Sequence, residues 1–265
     1  MKPVVLSKRL RAVADMVTVG SRVCDVGCDH GFVPVYLIKQ GISPAVLAMD
    51  VKQGPLSAAK EHIVERGLED LIEIRLSDGL HNYNIGEMDT LICAGMGGRL
   101  MRRILSDDQE KTESFRELIL QPQSETEQFR AWLREQGYRI KDENMIEEDG
   151  KFYPMMRVET DTDTGCGGLQ EYATEIRKSA ENSRYRFIDD AKLCKLTDRY
   201  GPLLLLRRNK TLTAYLRREE RIYEEILSTL HARGLSDEKR RNRYAEVSEL
   251  LEDCRMALDI VILRK

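Results

Sequence analysis

Two carboxylates and a histidine lie in one predicted turn between an apolar strand and an apolar helix, within the stretch "RVCDVGCDHGFVPVYLI" at residues 22–38. The acids are Asp25 and Asp29, and His30 follows directly. A turn that only reverses the chain needs no charge, since Asn, Gly or Ser would serve. A carboxylate would also repel a pyrophosphate, which separates this turn from a dinucleotide-binding G-x-G-x-x-G loop. We therefore expect a ligand that carries positive charge or N–H donors.

Acidic side chains also end the next two predicted strands. Asp50 closes "AVLAMDV", where a carboxylate can accept both ribose hydroxyls, and Asp78 closes "LIEIRLSDG", where it can accept from an adenine amino group. The fourth strand ends in "AGMGG". Ligands of open α/β sheets bind at this carboxyl edge, so the pattern predicts a pocket for a nucleoside with a cationic amino-acid tail, which is S-adenosylmethionine. The expected cofactor-binding residues are Asp25, Gly27, His30, Asp50, Val51, Asp78, Gly79, Ala94, Gly95 and Met96.

Alternating strand and helix patterns over residues 1–160 must position these side chains. Strands are predicted at 22–27, 45–51, 71–79, 88–95 and 116–122, and helices at 31–40, 55–67, 97–105 and 125–137. This rhythm predicts an α/β fold, a Rossmann-like, doubly wound, mostly parallel sheet. Two strand-like runs within 138–159 then surround Asp149-Gly150, a strong hairpin signal, and predict an antiparallel terminal strand.

The remaining chain divides into two parts. Residues 161–200 begin with the Thr-, Asp- and Gly-rich "TDTDTGCGGLQ" and are interpreted as an insertion or linker of uncertain structure. Residues 201–265 carry two apolar series at heptad spacing, broken at 232–240, and predict an antiparallel, coiled-coil-like helical hairpin. The expected domains are therefore 1–160, which binds the cofactor, and 201–265.

Composition places the chain in the class of charged globular proteins. Of 265 residues, 42% are apolar and 33% charged, and the formal net charge is -3. No apolar run approaches the ~20 residues of a membrane helix, and the N-terminus does not resemble a signal peptide. Six scattered cysteines complete no zinc site. We expect a cytoplasmic protein with reduced thiols, no metal and no membrane, which is a monomer or weak dimer.

Four motifs together resemble one known family. "LSKRLRAVA", "DVGCDHG", "AGMGG" and "LILQP" are similar to the bacterial tRNA (adenine-22 N1)-methyltransferases, often called TrmK, over residues 6 to about 159. "GPLLLLRRNK" and the helical pair match the C-terminal portion of that family. The resemblance implies a class I methyltransferase fold and a coiled-coil-like C-terminal domain. It also implies methylation of adenine-22 in the D-arm region of tRNA, with S-adenosylhomocysteine as the second product.

Asp29 is the expected catalytic residue. Its position matches the family position that is thought to be catalytic, and a carboxylate beside the ring would offset the positive charge of N1-methylated adenine. In the alternative, Asp29 only caps the following helix. His30 lines the cofactor pocket, touches the base or is structural. No amide or carboxylate occurs in "AGMGG", which disfavours an exocyclic amine as the target and fits a ring nitrogen.

The net charge of the chain does not indicate RNA binding, but local clusters of basic residues do. The expected substrate-binding residues are Lys8, Arg9, Arg99, Arg102, Arg103 and Gln121. Basic side chains of the helical pair are also expected to contact tRNA, namely Arg207, Arg208, Lys210, Arg217, Arg218, Arg221, Lys239, Arg240, Arg241 and Arg243. Two alternatives stay open, a small-molecule class I methyltransferase and a non-catalytic RNA-binding protein that retains the fold.

Overall fold

The computed structural model describes residues 5–160, 169–180, 188–235 and 237–262. The chain divides into two compact units, Met1–Gly168 and Leu169–Lys265. Each unit has its own buried apolar residues.

The first unit is built on a seven-stranded sheet. Its strands are β1 (Val23–Val26), β2 (Val46–Asp50), β3 (Ile72–Leu76), β4 (Thr90–Gly97), β5 (Glu117–Ser124), β6 (Arg139–Glu148) and β7 (Lys151–Glu159). They lie in the order β3-β2-β1-β4-β5-β7-β6. Strands β1 to β5 pair in parallel, whereas β7 is antiparallel to both β5 and β6. The predicted mostly parallel sheet with an antiparallel hairpin is confirmed.

Six helices connect and cover these strands. They are α1 (Lys8–Ala14), α2 (Phe32–Lys39), α3 (Gln53–Val64), α4 (Gly98–Asp107), α5 (Gln109–Glu113) and α6 (Thr126–Glu135). Helix α1 comes from the motif "LSKRLRAVA", to which the sequence analysis assigned no element. It begins because the Ser7 hydroxyl accepts a hydrogen bond from the backbone N–H of Leu10 at 3.2 Å, which caps the first turn. Apolar side chains of α1, α2 and α3 form one core with β1 and β2.

The β6–β7 hairpin turns on the residues that predicted it. Asp149 and Gly150 both have positive φ, 51° and 71°, and Glu148 pairs with Lys151 across the turn. Two consecutive residues with positive φ define a two-residue turn whose twist matches that of the flanking strands. The hairpin thereby carries β7 back to pair with β5 and completes the sheet.

The second unit is helical among its described residues. Its helices are α7 (Leu169–Ala180), α8 (Asp190–Tyr200), α9 (Pro202–Leu206), α10 (Lys210–Ala232) and α11 (Glu238–Ile262). Helices α7 and α8 fall in the segment whose structure the sequence left uncertain, and they group with this unit. The stretches 161–168 and 181–187 of that segment lie outside the described residues.

Helices α10 and α11 form the predicted antiparallel pair. The guanidinium of Arg255 on α11 donates to Glu220 of α10 at 2.9 Å, and the Cys254 thiol donates to the backbone carbonyl of Leu216 at 3.1 Å. The apolar residues of the two heptad series that are buried are Leu212, Leu216, Tyr223, Val247, Leu251, Cys254, Leu258 and Val261. The heptad spacing therefore places one stripe of each helix in the core of the hairpin.

A buried carboxylate ties α8 to α11. Asp253 is fully buried and forms ion pairs with Lys192, with Lys195 at 3.3 Å and with Arg199 at 3.9 Å. Ionised groups are costly to bury unless they are paired, so three cations from two successive turns of α8 suit a single buried acid. No helix in the described part of the chain is long and apolar enough to cross a membrane.

Gly98→Ala should destabilise the first unit, because the new Cβ would lie 2.8 Å from the carbonyl oxygen of Ser124 and 3.1 Å from that of Glu125. Backbone atoms cannot move aside cheaply, and we expect a loss of about 1–3 kcal/mol in the free energy of unfolding. Gly54→Ala in α3 is the matched control, since a Cβ there meets no atom within 4 Å. It should be neutral or stabilise by up to about 1 kcal/mol. Urea unfolding measures both, and equal midpoints would contradict the close approach of α4 to β5.

Candidate active site

A cavity of about 570 Å³ opens at the carboxyl edge of the parallel strands. Its wall is formed by the turns after β1, β2 and β3, by the carboxyl end of β4, and by parts of α1, α2, α3 and α4. Its volume lies within the range of about 300–1,000 Å³ found for ligand pockets. The sequence-predicted residues that line it are Arg9, Asp25, Gly27, Asp29, Asp50, Val51, Asp78, Gly79, Ala94, Gly95, Met96 and Arg103. Parallel strand pairing thus brings together side chains that lie up to 94 positions apart in the sequence.

Asp25 is a buried carboxylate that faces this cavity. It is only 5% exposed, because its strand β1 lies between β2 and β4 in the middle of the sheet. Burial raises the pKa of Asp25 to about 7, and the nearby charge of Asp50 raises it further. Among the described residues no cation forms an ion pair with it. A positively charged ligand would lower the free energy of the ionised carboxylate, which is the ligand class expected from the sequence.

Two glycines with positive φ border the cavity near Asp25, one in the turn after β1 and one within β4. Gly27 has φ of 77°, and a Cβ there would lie 2.1 Å from the terminal methyl carbon of Met96. Gly95 has φ of 79°, and a Cβ there would lie 3.2 Å from a guanidinium nitrogen of Arg9. The positive φ disfavours any other residue at both positions, and a Cβ would also force the ends of the Met96 and Arg9 side chains to move. Glycine therefore suits the turn after β1 and the carboxyl end of β4, which both border the cavity.

Asp29 stands at the mouth of the cavity with its side chain 72% exposed. Its φ is 50°, a left-handed conformation that is uncommon outside glycine and that occurs at functional sites. Helix α2 begins after Gly31 as its N-cap, and no side chain caps it. The alternative that Asp29 only caps this helix is therefore wrong. The carboxylate remains available to a group that enters the cavity.

His30 lies beside the cavity and is not part of its lining. Its Nε2 is 3.5 Å from Oδ1 of Asp29, and its ring centroid is 5.8 Å from that of Phe32 and 6.3 Å from that of His62. His62 is held by a hydrogen bond of 2.9 Å between its Nδ1 and the carbonyl oxygen of His30. A carbonyl only accepts, so Nδ1 of His62 carries the proton. The structure places His30 in an aromatic cluster next to Asp29, and a cofactor contact stays a prediction.

The two acids on the other side of the cavity have local partners. Oδ1 of Asp50 accepts the backbone N–H of Lys52 at 2.9 Å, which holds the turn after β2. Asp78 accepts from the Arg103 guanidinium at 3.0 Å. Both members of the second pair are more than half exposed, so it contributes little to stability and can give way to a ligand.

The predicted substrate-binding residues separate into two groups. Arg9 lines the cavity, donates to the buried Gln121 amide oxygen at 2.8 Å and lies over the Tyr153 ring at 5.6 Å. Arg103 also lines the cavity, where its guanidinium is paired with Asp78. The predicted residues outside the lining are Lys8, Arg99, Arg102 and Gln121. Arg99 pairs with Glu125 at 3.1 Å.

The sequence analysis missed several residues that line the cavity. They are Leu10, Val26, Cys28, Phe32, Val33, Lys52, Pro55, Ser77, Ile92, Leu100 and Ile104. Three of them could have been identified from the sequence. Ser77 directly precedes the predicted Asp78, and Leu100 and Ile104 lie four residues apart on one face of α4. The Ser77 hydroxyl donates to the carbonyl of Gly79 at 2.9 Å and so shapes the turn after β3. No feature of the sequence marked Phe32 as a residue of the cavity.

The raised pKa of Asp25 predicts a pH-dependent stability of the ligand-free protein. Since the folded pKa is about 7 and the unfolded pKa about 4, the folded state holds this proton more tightly. Asp25 therefore contributes stability that is complete below about pH 4 and is lost as pH rises through 7. Asp25→Asn removes the ionisation. The variant should match the wild type near pH 4.5 and exceed it by about 2–4 kcal/mol at pH 8 in urea unfolding. A stability difference that does not change with pH would contradict this.

Comparisons with known proteins agree with this geometry. The model of a family described as "Methyltransferase domain" matches residues 6–156. The tRNA (adenine(22)-N(1))-methyltransferase of Bacillus subtilis (strain 168) is 29% identical over 264 residues, which cover 98% of this chain and 99% of that protein.

Two solved structures are also similar over nearly the whole chain. One is the crystal structure of the B. subtilis m1A22 tRNA methyltransferase TrmK, with a TM-score of 0.76, 26% identity and coverage of 97% of this chain and 100% of that one. The other is a Streptococcus pneumoniae protein, a candidate tRNA (m1A22) methyltransferase, in complex with S-adenosyl-L-methionine. It has a TM-score of 0.74, 27% identity and coverage of 96% and 100%. The resemblance stated from four motifs is confirmed. Because the family model matches more than half of the sequence, this chain belongs to the methyltransferase-domain family.

Proposed function

We propose that this protein transfers the methyl group of S-adenosylmethionine to N1 of adenine 22 in tRNA and releases S-adenosylhomocysteine. The observation that carries the proposal is the cavity in which the buried Asp25 and the exposed Asp29 face one space. A relative with the corresponding activity in its name aligns with 98% of the chain, which supports the choice of tRNA and of adenine 22. Since tRNA is a cytoplasmic molecule, we place the reaction in the cytoplasm.

The residues of the cavity fit S-adenosylmethionine. Asp25 offers a buried carboxylate without a cation, which suits the positively charged amino-acid tail. Asp50 ends β2, where an acid can hold ribose hydroxyls, and Asp78 lies in the turn after β3, where an acid can accept from the adenine amino group. When bound, the cofactor supplies an electrophilic methyl group on a sulfonium. The bound cofactor would then meet one acid at each of its three parts: Asp25 at the amino-acid tail, Asp50 at the ribose and Asp78 at the adenine.

Asp29 acts on the target base. The N1 lone pair of adenine is already a nucleophile, so this chain mainly has to align it and exclude water. The methylated ring is positively charged, and the Asp29 carboxylate offsets that charge as it develops. In the free protein Asp29 is exposed and its field is screened. An adenine that enters the mouth displaces water and strengthens the interaction.

The second unit is proposed to hold the tRNA. An adenine of folded RNA must leave its stack to reach a cavity, which costs a few kcal/mol. Phosphate contacts made by another part of the protein can offset this cost. Helix α10 carries basic side chains that serve this purpose, and Leu169–Lys265 forms a compact unit by itself.

The direct test uses labelled S-adenosylmethionine and an unmodified tRNA transcript, with the product base mapped by mass spectrometry. We expect a single methyl group on N1 of adenine 22 and none on a transcript with guanine at that position. Asp29→Asn keeps the shape of the side chain and removes its charge. It should reduce single-turnover methylation by roughly a hundredfold, the scale of one lost electrostatic contact.

The outcomes separate the alternatives. Methylation of a small molecule and of no RNA would contradict the proposal. Binding of tRNA without any methyl transfer would identify a non-catalytic RNA-binding protein. A normal rate in Asp29→Asn would remove Asp29 from catalysis and leave the proposed reaction in place.

Asp50→Ala should weaken the binding of S-adenosylmethionine without unfolding the protein. Loss of a hydrogen bond to a charged acceptor costs about 1.5–3 kcal/mol, which corresponds to a roughly 10- to 150-fold increase in Kd. Asp70→Ala, an exposed acid outside the cavity lining, is the matched control and should leave Kd unchanged. Isothermal titration calorimetry measures both, and equal Kd values would exclude Asp50 from the cofactor site.

A further inference from the structure

Three basic side chains form one row on α10. Lys210, Arg217 and Arg221 are separated by seven and four residues, so they project from one face of the helix. We call them the α10 stripe. All three are exposed, and with Ala214 and Glu220 they line a shallow groove of about 600 Å³. The stripe lies on the solvent side, because Leu212, Leu216 and Tyr223 occupy the buried face of the same helix.

The acids that accompany the stripe are engaged elsewhere. Arg255 of α11 donates to Glu220 at 2.9 Å and also to Glu224. Glu219 accepts a hydrogen bond from the Tyr223 hydroxyl. In contrast, within the described part of the chain the side chains of the α10 stripe form no hydrogen bond or ion pair. The contacts between and within the two helices therefore engage Glu219, Glu220 and Glu224 and leave the three cations of the stripe free on one face.

Basic side chains at the start of α11 are used differently. Arg240 donates to the backbone carbonyls of Arg233 and Gly234 at 2.6 and 3.0 Å, which closes the turn between the helices. Arg243 pairs with Glu246 at 2.7 Å. Because these guanidinium groups have internal partners, they are less available to bind an anionic ligand than the cations of the α10 stripe are.

A row of unpaired cations without apolar side chains suits a polyanion. The stripe spans about 16 Å along the helix, long enough for contacts to several phosphates of one strand. A protein partner would be expected to cover apolar and aromatic side chains at the centre of its interface. Among the described residues that line the groove, only Ala214 is apolar. We infer that the α10 stripe binds the phosphate backbone of the tRNA substrate. This inference rests on the proposed function and names the surface of the second unit that contacts RNA.

The test neutralises three charges on each helix of the full chain. The stripe variant carries Lys210→Gln, Arg217→Gln and Arg221→Gln. The control variant carries Arg240→Gln, Arg241→Gln and Arg243→Gln, whose guanidinium groups have internal partners, and it has the same net charge. We expect the stripe variant to lose roughly tenfold or more in tRNA affinity at moderate salt. The slope of log K against log salt should become shallower by about 2–3, one unit or slightly less for each lost phosphate contact. The control should change both quantities much less.

Two further measurements exclude an indirect effect. Circular dichroism should show unchanged helicity, since glutamine is a good helix former, and the Kd for S-adenosylmethionine should stay within about twofold of the wild type. A third variant, Lys210→Arg with Arg217→Lys and Arg221→Lys, keeps the charges and should restore tRNA binding.

The results distinguish this inference from the proposed function. Equal affinity and salt slope in the stripe and control variants would overturn the inference, even when the wild type methylates tRNA normally. If instead the wild type binds tRNA through the stripe and methylates no RNA, the proposed reaction fails and the binding surface stands.

Discussion

The parallel pairing of β1 with β2 on one side and with β4 on the other is the constraint on which the site depends. Parallel strands end at the same edge, so the turns after them must share one space. Asp25 sits in the central strand of this arrangement and is buried by its neighbours. Its carboxylate therefore faces the cavity from a position where water does not solvate it well. The character of the cavity follows from this single placement.

Different degrees of burial give Asp25, Asp29 and Asp78 different properties. Asp25 is buried and has a pKa raised to about 7, whereas Asp78 is exposed and paired with Arg103. Asp29 is exposed at the mouth and held in a left-handed conformation. The same side-chain chemistry thus serves to bind a cation inside the cavity and to meet a developing charge at its entrance. Local environment, and not residue type, separates these roles.

The second unit shows a similar division of charge. Its fully buried acid, Asp253, is paired with cations of α8, and Arg255 satisfies two acids of α10. Internal ion pairs of this kind leave the remaining cations on a defined face. The overall net charge of -3 gives no indication of this pattern, because it averages over paired and unpaired groups.

The sequence by itself determined the order of the seven strands and of helices α2, α3, α4 and α6, the Asp149-Gly150 turn and the acids at the strand ends. Each of these depends on residues that are neighbours in the chain, through periodicity, turn conformation or the end of an apolar run. It also indicated the heptad spacing of α10 and α11. Only the tertiary structure decided which predicted residues meet. Arg9 reaches Gln121 across 112 positions and Arg99 pairs with Glu125, while His30 turns toward Phe32 and His62. The partner of a long polar side chain depends on elements that approach from elsewhere in the fold, and hydrophobic periodicity carries no information about that approach.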